Sequence, residues 1–218
     1  RQKVAIELNS GKPSFDLFNF AFHVQKRQFE KGGWLLDITS WLKDPQMMPA
    51  EYELDDVSKL GMSFATTSDG KVNALPILCD YFIVYYNKEL LAEKGFKAPP
   101  KTFDELYTMA KALTDPAKQV YGFVGRGLKN ANVVLFDNIL LGYDQETVTP
   151  DGKKLLTDTD AAIAAGQWYQ KIMRDCGPTG NIGFNWNECQ TTFMQGRAAM
   201  WWDGIGLDRK STRLNSSH

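Results

Sequence analysis

The sequence predicts an α/β fold, with helices layered on a mainly parallel sheet. Three observations carry that prediction. Apolar runs of strand length alternate with segments of helical periodicity. Glycines mark the joints between them, as in "EKGG", "EKGF" and "MQGR". Hydrophobic residues make up 43% of the 218, enough for a sizeable core and too many for global disorder. That length suits one large domain or two small ones.

"SFDLFNFAF" (residues 14–22) has the composition of a short buried strand. "VQKRQFEKGG" reads as a helix closed by Gly32 and Gly33, and "WLLDITSWLKD" as a short amphipathic segment. "DGKVNALPI" opens on the turn Asp69-Gly70 and continues as a strand. Another strand follows at residues 81–86. Asn87 then caps a helix over residues 88–94, which Gly95 ends. The clearest helix is "KTFDELYTMAKALTD". Thr102 is its N-cap, Glu105 completes a capping box, and Phe103, Leu106, Ala110 and Leu113 share one face. "VYGFVGRG" is a strand ending in a glycine-flanked arginine. "DTDAAIAAGQWYQKIMRD" is a helix with Ala161, Ala165, Trp168 and Ile172 on one face. "NECQTTFMQG" is a third helix, stopped by Gly196, and "RAAMWWDG" is a final buried strand. No repeat and no low-complexity linker interrupts this order.

Composition removes several functions. A net charge of -1, from 25 basic and 26 acidic residues, leaves no electrostatic footprint for nucleic acid or an anionic membrane. No apolar run approaches the ~18 residues of a membrane span. Three cysteines without a CxxC pair and two histidines argue against a zinc or iron–sulfur site. Cys176 and Cys189 are the pair open to a disulfide in an oxidising compartment; buried or half-buried thiols are the favoured reading. With His218 in a tail of foreign character, one histidine is too few for most Ser/His/Asp or Cys/His schemes.

Ligands of open α/β sheets bind beyond the carboxyl ends of the strands. The residues expected there are Asn19, Phe20 and His23 after the first strand, and Asp80 and Tyr81 between the next two. Arg126 and Asn130 follow "YGFV"; Asp203 and Gly204 follow "AMWW"; Trp186, Asn187 and Glu188 open the helix before that last strand. Aromatic faces, carboxylates, amides and one arginine suit polyhydroxyl ligands, whose C–H faces stack on rings and whose hydroxyls bond to the polar groups. Asp80 together with Arg126 is expected to supply both affinity and orientation, at about 1.5–3 kcal/mol per charged hydrogen bond. Strand alternation sends Trp201 and Trp202 to opposite faces, so at most one reaches a cleft; Trp202 is carried as the candidate. The plainer alternatives are that Phe20, Trp201 and Trp202 fill core, that Arg126 is a solvated turn residue, and that Glu188 serves the helix dipole. Asp80 has the weakest plain alternative, because a carboxylate between two buried strands needs a partner or a water-filled space.

"DGKVNALPILCDYFIVYYNKELLAEKGFKAPPKTFDELYTMAKALTD", "VYGFVGRG" and "FNWNECQTTFMQGRAAMWWDGIG" together resemble the bacterial extracellular solute-binding proteins of the large sugar-binding cluster. These are receptors of ABC importers, related to maltose-binding protein, and the likeness runs over residues 15–207. The resemblance implies a two-lobed periplasmic-binding-protein fold (type II, Venus-flytrap), here truncated at both ends. Residues 1–79 would be a partial N-terminal lobe and residues 80–207 a partial C-terminal lobe. Residues 208–218, ending "DRKSTRLNSSH", are expected to be a non-native tail. Asp80 and Tyr81 would lie at the first crossover between lobes, where the carboxylate meets ligand hydroxyls. Phe20 and His23 would reach the ligand from the first lobe; the loop after Arg126 and the turn at residues 203–206 would do so from the second. Trp186 is a stacking candidate by its chemistry. The implied function is capture of a small sugar or sugar alcohol by a non-enzymatic, cofactor-free, metal-free monomer, working with ABC permease subunits. Its expected place is periplasmic, or extracellular and anchored to the membrane, with the signal peptide missing from this fragment. The competing readings are a glycoside hydrolase using two of Asp80, Glu188 and Asp203, against which the missing eightfold β/α pattern speaks, and an interaction domain without a pocket.

Overall fold

The structure, a computed structural model, describes residues 2–77 and 81–206, without the side chains of residues 2 and 22–25. Cys79, Asp80 and the 208–218 tail lie outside the described residues. Backbone proximity divides the chain into two compact units, Arg1–Cys79 and Asp80–His218.

The described part of the first unit is helical: α1 (Gln2–Asn9), α2 (Phe22–Gly32) and α3 (Lys59–Ala65), with three single 3-10 turns between α2 and α3. Helix α2 ends as the sequence predicts. Gly33 takes the left-handed conformation at φ 64°, its N–H bonds to the Glu30 carbonyl, and the Trp34 N–H bonds to that of Phe29. The strand expected at residues 14–22 does not form. Its aromatic rings fold onto α2 instead: Phe18 and Phe20 pack edge-on against Phe29 with centroids 5.5 and 4.8 Å away, while Leu17 stays 90% exposed. Apolar composition predicts packing for those rings, which are half-buried, but no neighbouring strand supplies a ladder. The strand expected after Asp69-Gly70 is also absent. The turn is present, with Gly70 at φ 83° and the Thr67 hydroxyl on the Asp69 carboxylate, but pairing stops at one bridge, Thr66 to Val72. Pro76 brings no backbone donor to extend it, and its ring packs instead over Gly61.

The described part of the second unit is built on three strands, β1 (Phe82–Tyr86), β2 (Tyr121–Val124) and β3 (Ala198–Gly204), in the order β1-β3-β2. Strand β3 runs parallel to β2 and antiparallel to β1. The sheet is therefore mixed, not mainly parallel. Helix–strand alternation along the chain sets the crossovers but leaves the direction of an edge strand open, and antiparallel edges are common on such sheets.

Among the described residues, five helices accompany the sheet: α4 (Lys88–Glu93), α5 (Phe103–Leu113), α6 (Val133–Gly142), α7 (Asp160–Cys176) and α8 (Trp186–Met194). On one face Leu106, Ala110 and Leu113 of α5, Ile139 of α6, and Trp168 and Ile172 of α7 close over Phe123 and Met200. On the other, Cys189 of α8 packs with Val124, Ala198 and Trp201. Strand alternation divides the tryptophans as expected. Trp201 is buried under α8, and Trp202 lies 5.8 Å from Phe103 and 6.4 Å from Trp168 on the opposite face.

Local chemistry fixes the helix starts. The Asn87 side chain accepts from the N–H groups of Glu89 and Leu90. The Thr102 hydroxyl accepts from the Glu105 N–H at 3.1 Å, while the Glu105 carboxylate reaches the Lys101 N–H at 2.7 Å, one residue upstream of a regular capping box. Thr102→Ala is expected to destabilise the unit by about 1 kcal/mol, read as a lowered urea midpoint at unchanged slope.

Cys176 and Cys189 are free and buried, and they belong to the clusters on opposite faces of the sheet, so they are not disulfide partners. Burial pushes the Cys176 thiol up to about 11 and the Cys189 thiol up to about 12. The thiolate is the reactive form. Peptide-mapped alkylation at pH 8 should therefore leave both unmodified in the native protein and label both in denaturant; rapid native labelling of either would contradict this burial.

Candidate functional site

Sheet register creates the candidate site. Parallel pairing sets Val124 beside Trp201, so the residues two further on, Arg126 and Asp203, fall side by side at the carboxyl edge. Antiparallel pairing sets Phe82 beside Gly204, which brings the start of β1 to the same edge. The Ile205 N–H then bonds to the Tyr81 carbonyl at 3.1 Å, and the Tyr85 hydroxyl to the Gly204 carbonyl at 2.9 Å.

Arg126 and Asp203 form a bidentate ion pair. Nε donates to Oδ2 at 2.9 Å and Nη2 to Oδ1 at 2.5 Å. Asp203 is 0% exposed, and its carboxylate also accepts from the Trp201 indole N–H at 3.2 Å and its neighbour's Gly204 N–H at 2.7 Å. Four donors thus satisfy a fully buried carboxylate, the condition under which a buried charge is tolerated. The arginine side chain keeps 20% exposure, and its guanidinium carbon lies 5.8 Å from the centroid of the Phe82 ring.

The backbone carrying Arg126 is braced too. The Tyr169 hydroxyl donates to the Arg126 carbonyl, and burial pushes that phenol up to about 12, so it is a donor at neutral pH. The Gly127 and Leu128 N–H groups both bond to the Phe184 carbonyl. A Cβ on Gly127 would lie 2.3 Å from the Asn181 carbonyl oxygen, so only glycine allows this loop so close to the 181–184 turn.

The structure brings Tyr81, Arg126, Asp203 and Gly204 together, with Tyr81 64% exposed. Asn130 is exposed on the following loop at φ 71°. Trp186 is half-buried, its ring 6.2 Å from that of Trp201. Glu188 is exposed, and its carboxylate accepts from the Asn185 N–H at 2.9 Å, which completes the capping box of α8. Trp202 packs into the core on the other face of the sheet. In the first unit Asn19 is exposed, Phe20 packs on Phe29, and His23 sits in α2. Asp80 lies outside the described residues, and the partner of Arg126 is Asp203. Sequence reasoning misses Phe82, Tyr169 and Trp201 as supports of the arginine. No local signal announces them, since Tyr169 and Asp203 stand 43 and 77 residues from Arg126.

The arginine thus stands at the carboxyl edge of an α/β sheet, where open sheets of this kind bind ligands. The family model described as "Bacterial extracellular solute-binding protein" matches residues 1–208, and the chain belongs to that family. Its fold is that of the type II periplasmic binding proteins. An erythritol/L-threitol-binding protein of Mycolicibacterium smegmatis is 26% identical over 216 residues, covering 92% of this chain and 44% of that protein. A probable amino-acid ABC transporter periplasmic-binding protein of Sinorhizobium fredii is 24% identical over 222 residues, covering all of this chain and 50% of that one. Among solved structures, an ABC transporter solute-binding protein from Agrobacterium radiobacter in complex with ribitol superimposes with a TM-score of 0.80 at 26% identity, covering 93% of this chain and 50% of that one. The chain spans about half the length of the curated relatives it matches. Among the described residues no helix is long and apolar enough to cross a membrane.

Proposed function

We propose that this chain is part of the substrate-capturing receptor of an ABC importer for a small sugar or sugar alcohol. One observation carries the reading: a partly exposed arginine, fixed by a buried aspartate, stands at the carboxyl edge of the sheet beside the Phe82 ring. Such a group offers directed hydrogen bonds to hydroxyls, and the ring offers a face to C–H groups. The erythritol/L-threitol-binding relative and the ribitol complex support this ligand class. In this reading residues 1–79 and 80–207 belong to two lobes. Asn19, Phe20 and His23 approach the ligand from the first. Asp80 and Tyr81 approach from the crossover, and Arg126, Asn130, Trp186 and Gly204 from the second. Ligand favours the closed arrangement and shifts the population toward it, after which membrane permease subunits receive the cargo. The receptor acts as a monomer outside the cytoplasmic membrane and performs no chemistry on the sugar. The two described carboxylates of the hydrolase alternative already have structural tasks: Asp203 is enclosed by four donors and Glu188 caps α8.

The test is calorimetric titration of the full-length gene product with tetritols, pentitols, hexitols, monosaccharides and amino acids, followed by analysis of the recovered ligand. Saturable one-to-one binding of a polyol or sugar recovered intact is expected. Binding confined to amino acids, or recovery of cleaved sugar, would overturn the proposal.

A further inference from the structure

The charge state of the candidate site bears on which polyhydroxyl ligands it accepts. We infer, resting on the receptor function proposed for this site, that Asp203 is a specificity-determining positioning residue: by occupying and neutralising Arg126, it makes the site select uncharged polyols over the corresponding sugar acids.

A free guanidinium attracts carboxylates, because its fork of N–H groups matches two carboxylate oxygens. Here the Nε/Nη2 edge is already engaged, at 2.9 and 2.5 Å, by a carboxylate of the protein itself. Asp203 cannot swing away to make room. It is fully buried and held from two further directions, by the Trp201 indole and the Gly204 N–H. Arg126 cannot swing toward a new partner without leaving the fully buried Asp203 carboxylate short of two donors. An incoming sugar carboxylate would meet a pair with no net charge. It would also feel the buried Asp203 charge through a medium that screens poorly. Its lost hydration would then go uncompensated. A neutral hydroxyl loses far less hydration and needs only one N–H, which the remaining Nη1 side provides. Lys129, three residues along, is exposed, where water and salt screen its charge.

Matched pairs isolate this effect, because a polyol and its aldonate differ at one terminal carbon. The full-length gene product would be titrated at neutral pH and fixed ionic strength with ribitol against ribonate, and mannitol against mannonate. The wild-type protein is expected to bind at least one of the polyols at least about tenfold more tightly than its aldonate. In Asp203→Asn, the unneutralised arginine should narrow that ratio by at least about tenfold, mostly through tighter aldonate binding. A variant that is merely loosened would weaken both ligands together and leave the ratio unchanged, so the ratio, read alongside near-UV circular dichroism, separates positioning from general damage. An aldonate bound as tightly as its polyol by the wild-type protein overturns the inference while leaving a sugar receptor standing. An unchanged ratio in folded Asp203→Asn also overturns it. Should that variant not fold, the wild-type ratio alone decides. Failure of both members of each pair to bind, with an amino acid bound instead, removes the receptor function and this inference with it.

Discussion

Replacing Asp203 with alanine is expected to destabilise the second unit by about 3–5 kcal/mol, the usual result of removing one partner from a buried ion pair. The magnitude reflects the groups left behind. Arg126 keeps its charge while only 20% of its side chain is exposed, and Nε and Nη2 lose their acceptor. The Trp201 indole N–H and the Gly204 N–H lose theirs as well, in a region the rest of the sheet keeps dry. Domains are commonly stable by only about 5–15 kcal/mol, so a large share of the total would be lost. Urea denaturation followed by tryptophan fluorescence measures it directly, since Trp201 sits on the affected carboxylate. Arg126→Ala should be similarly damaging, because it strands a fully buried carboxylate. The double variant should cost clearly less than the sum of the two, since each single change removes the same pair. A loss below about 1 kcal/mol in Asp203→Ala, or strict additivity in the double variant, would mean that the pair is not the structural unit its geometry describes.

How much of the molecule is legible in its sequence depends on the range of the interaction concerned. Asn87, Thr102 and Gly33 are readable as helix boundaries because a cap acts over two to four residues, all visible in one window. The Glu105 carboxylate slips by one residue, to Lys101, a choice between adjacent N–H groups that sequence spacing does not resolve. Residues 14–22 mislead because apolar composition reports burial and not the partner. Phe18 and Phe20 are covered by a helix where a strand is expected. Helix α6 gives no sequence signal at all: "VVLFDNILLG" is apolar on nearly every side and shows no stripe. The Arg126–Asp203 pair lies between these cases. The rule that ligand groups gather at carboxyl edges brings both residues among the candidates. Their contact, though, needs the register of Val124 on Trp201, and register is a tertiary fact. The sequence accordingly places Arg126 and Asp203 on one list of candidates without pairing two residues 77 positions apart.

Gly122→Ala is expected to cost about 3 kcal/mol or more, at the upper end of overpacking effects, although it adds one methyl group to a strand. Gly122 faces α5 so closely that a Cβ would lie 1.8 Å from the Ala110 carbonyl oxygen, 2.4 Å from its carbon and 2.5 Å from its Cα. Every one of those atoms is backbone, so no change of rotamer relieves the clash. The strand cannot retreat, because β2 is hydrogen-bonded to β3, the central strand of the sheet. The helix cannot retreat alone. The Gly122 N–H bonds to the Thr114 hydroxyl at 2.9 Å, which in turn donates to the Ala110 carbonyl at 2.8 Å, so strand and helix end are laced at the point of contact. Moving α5 outward would also draw Leu106, Ala110 and Leu113 away from the core they share with Phe123 and Trp168. Gly196→Ala is the informative control. Its position has open space around a Cβ but a left-handed backbone at φ 69°, so only the local conformational penalty of about 1–2 kcal/mol applies there. If Gly122→Ala loses no more stability in urea than Gly196→Ala, the close approach of helix to strand is not the constraint its geometry describes. If Gly122→Ala loses clearly more, and loses near-UV dichroism from the tryptophans packed beyond α5, the close approach of helix to strand is what this glycine is for.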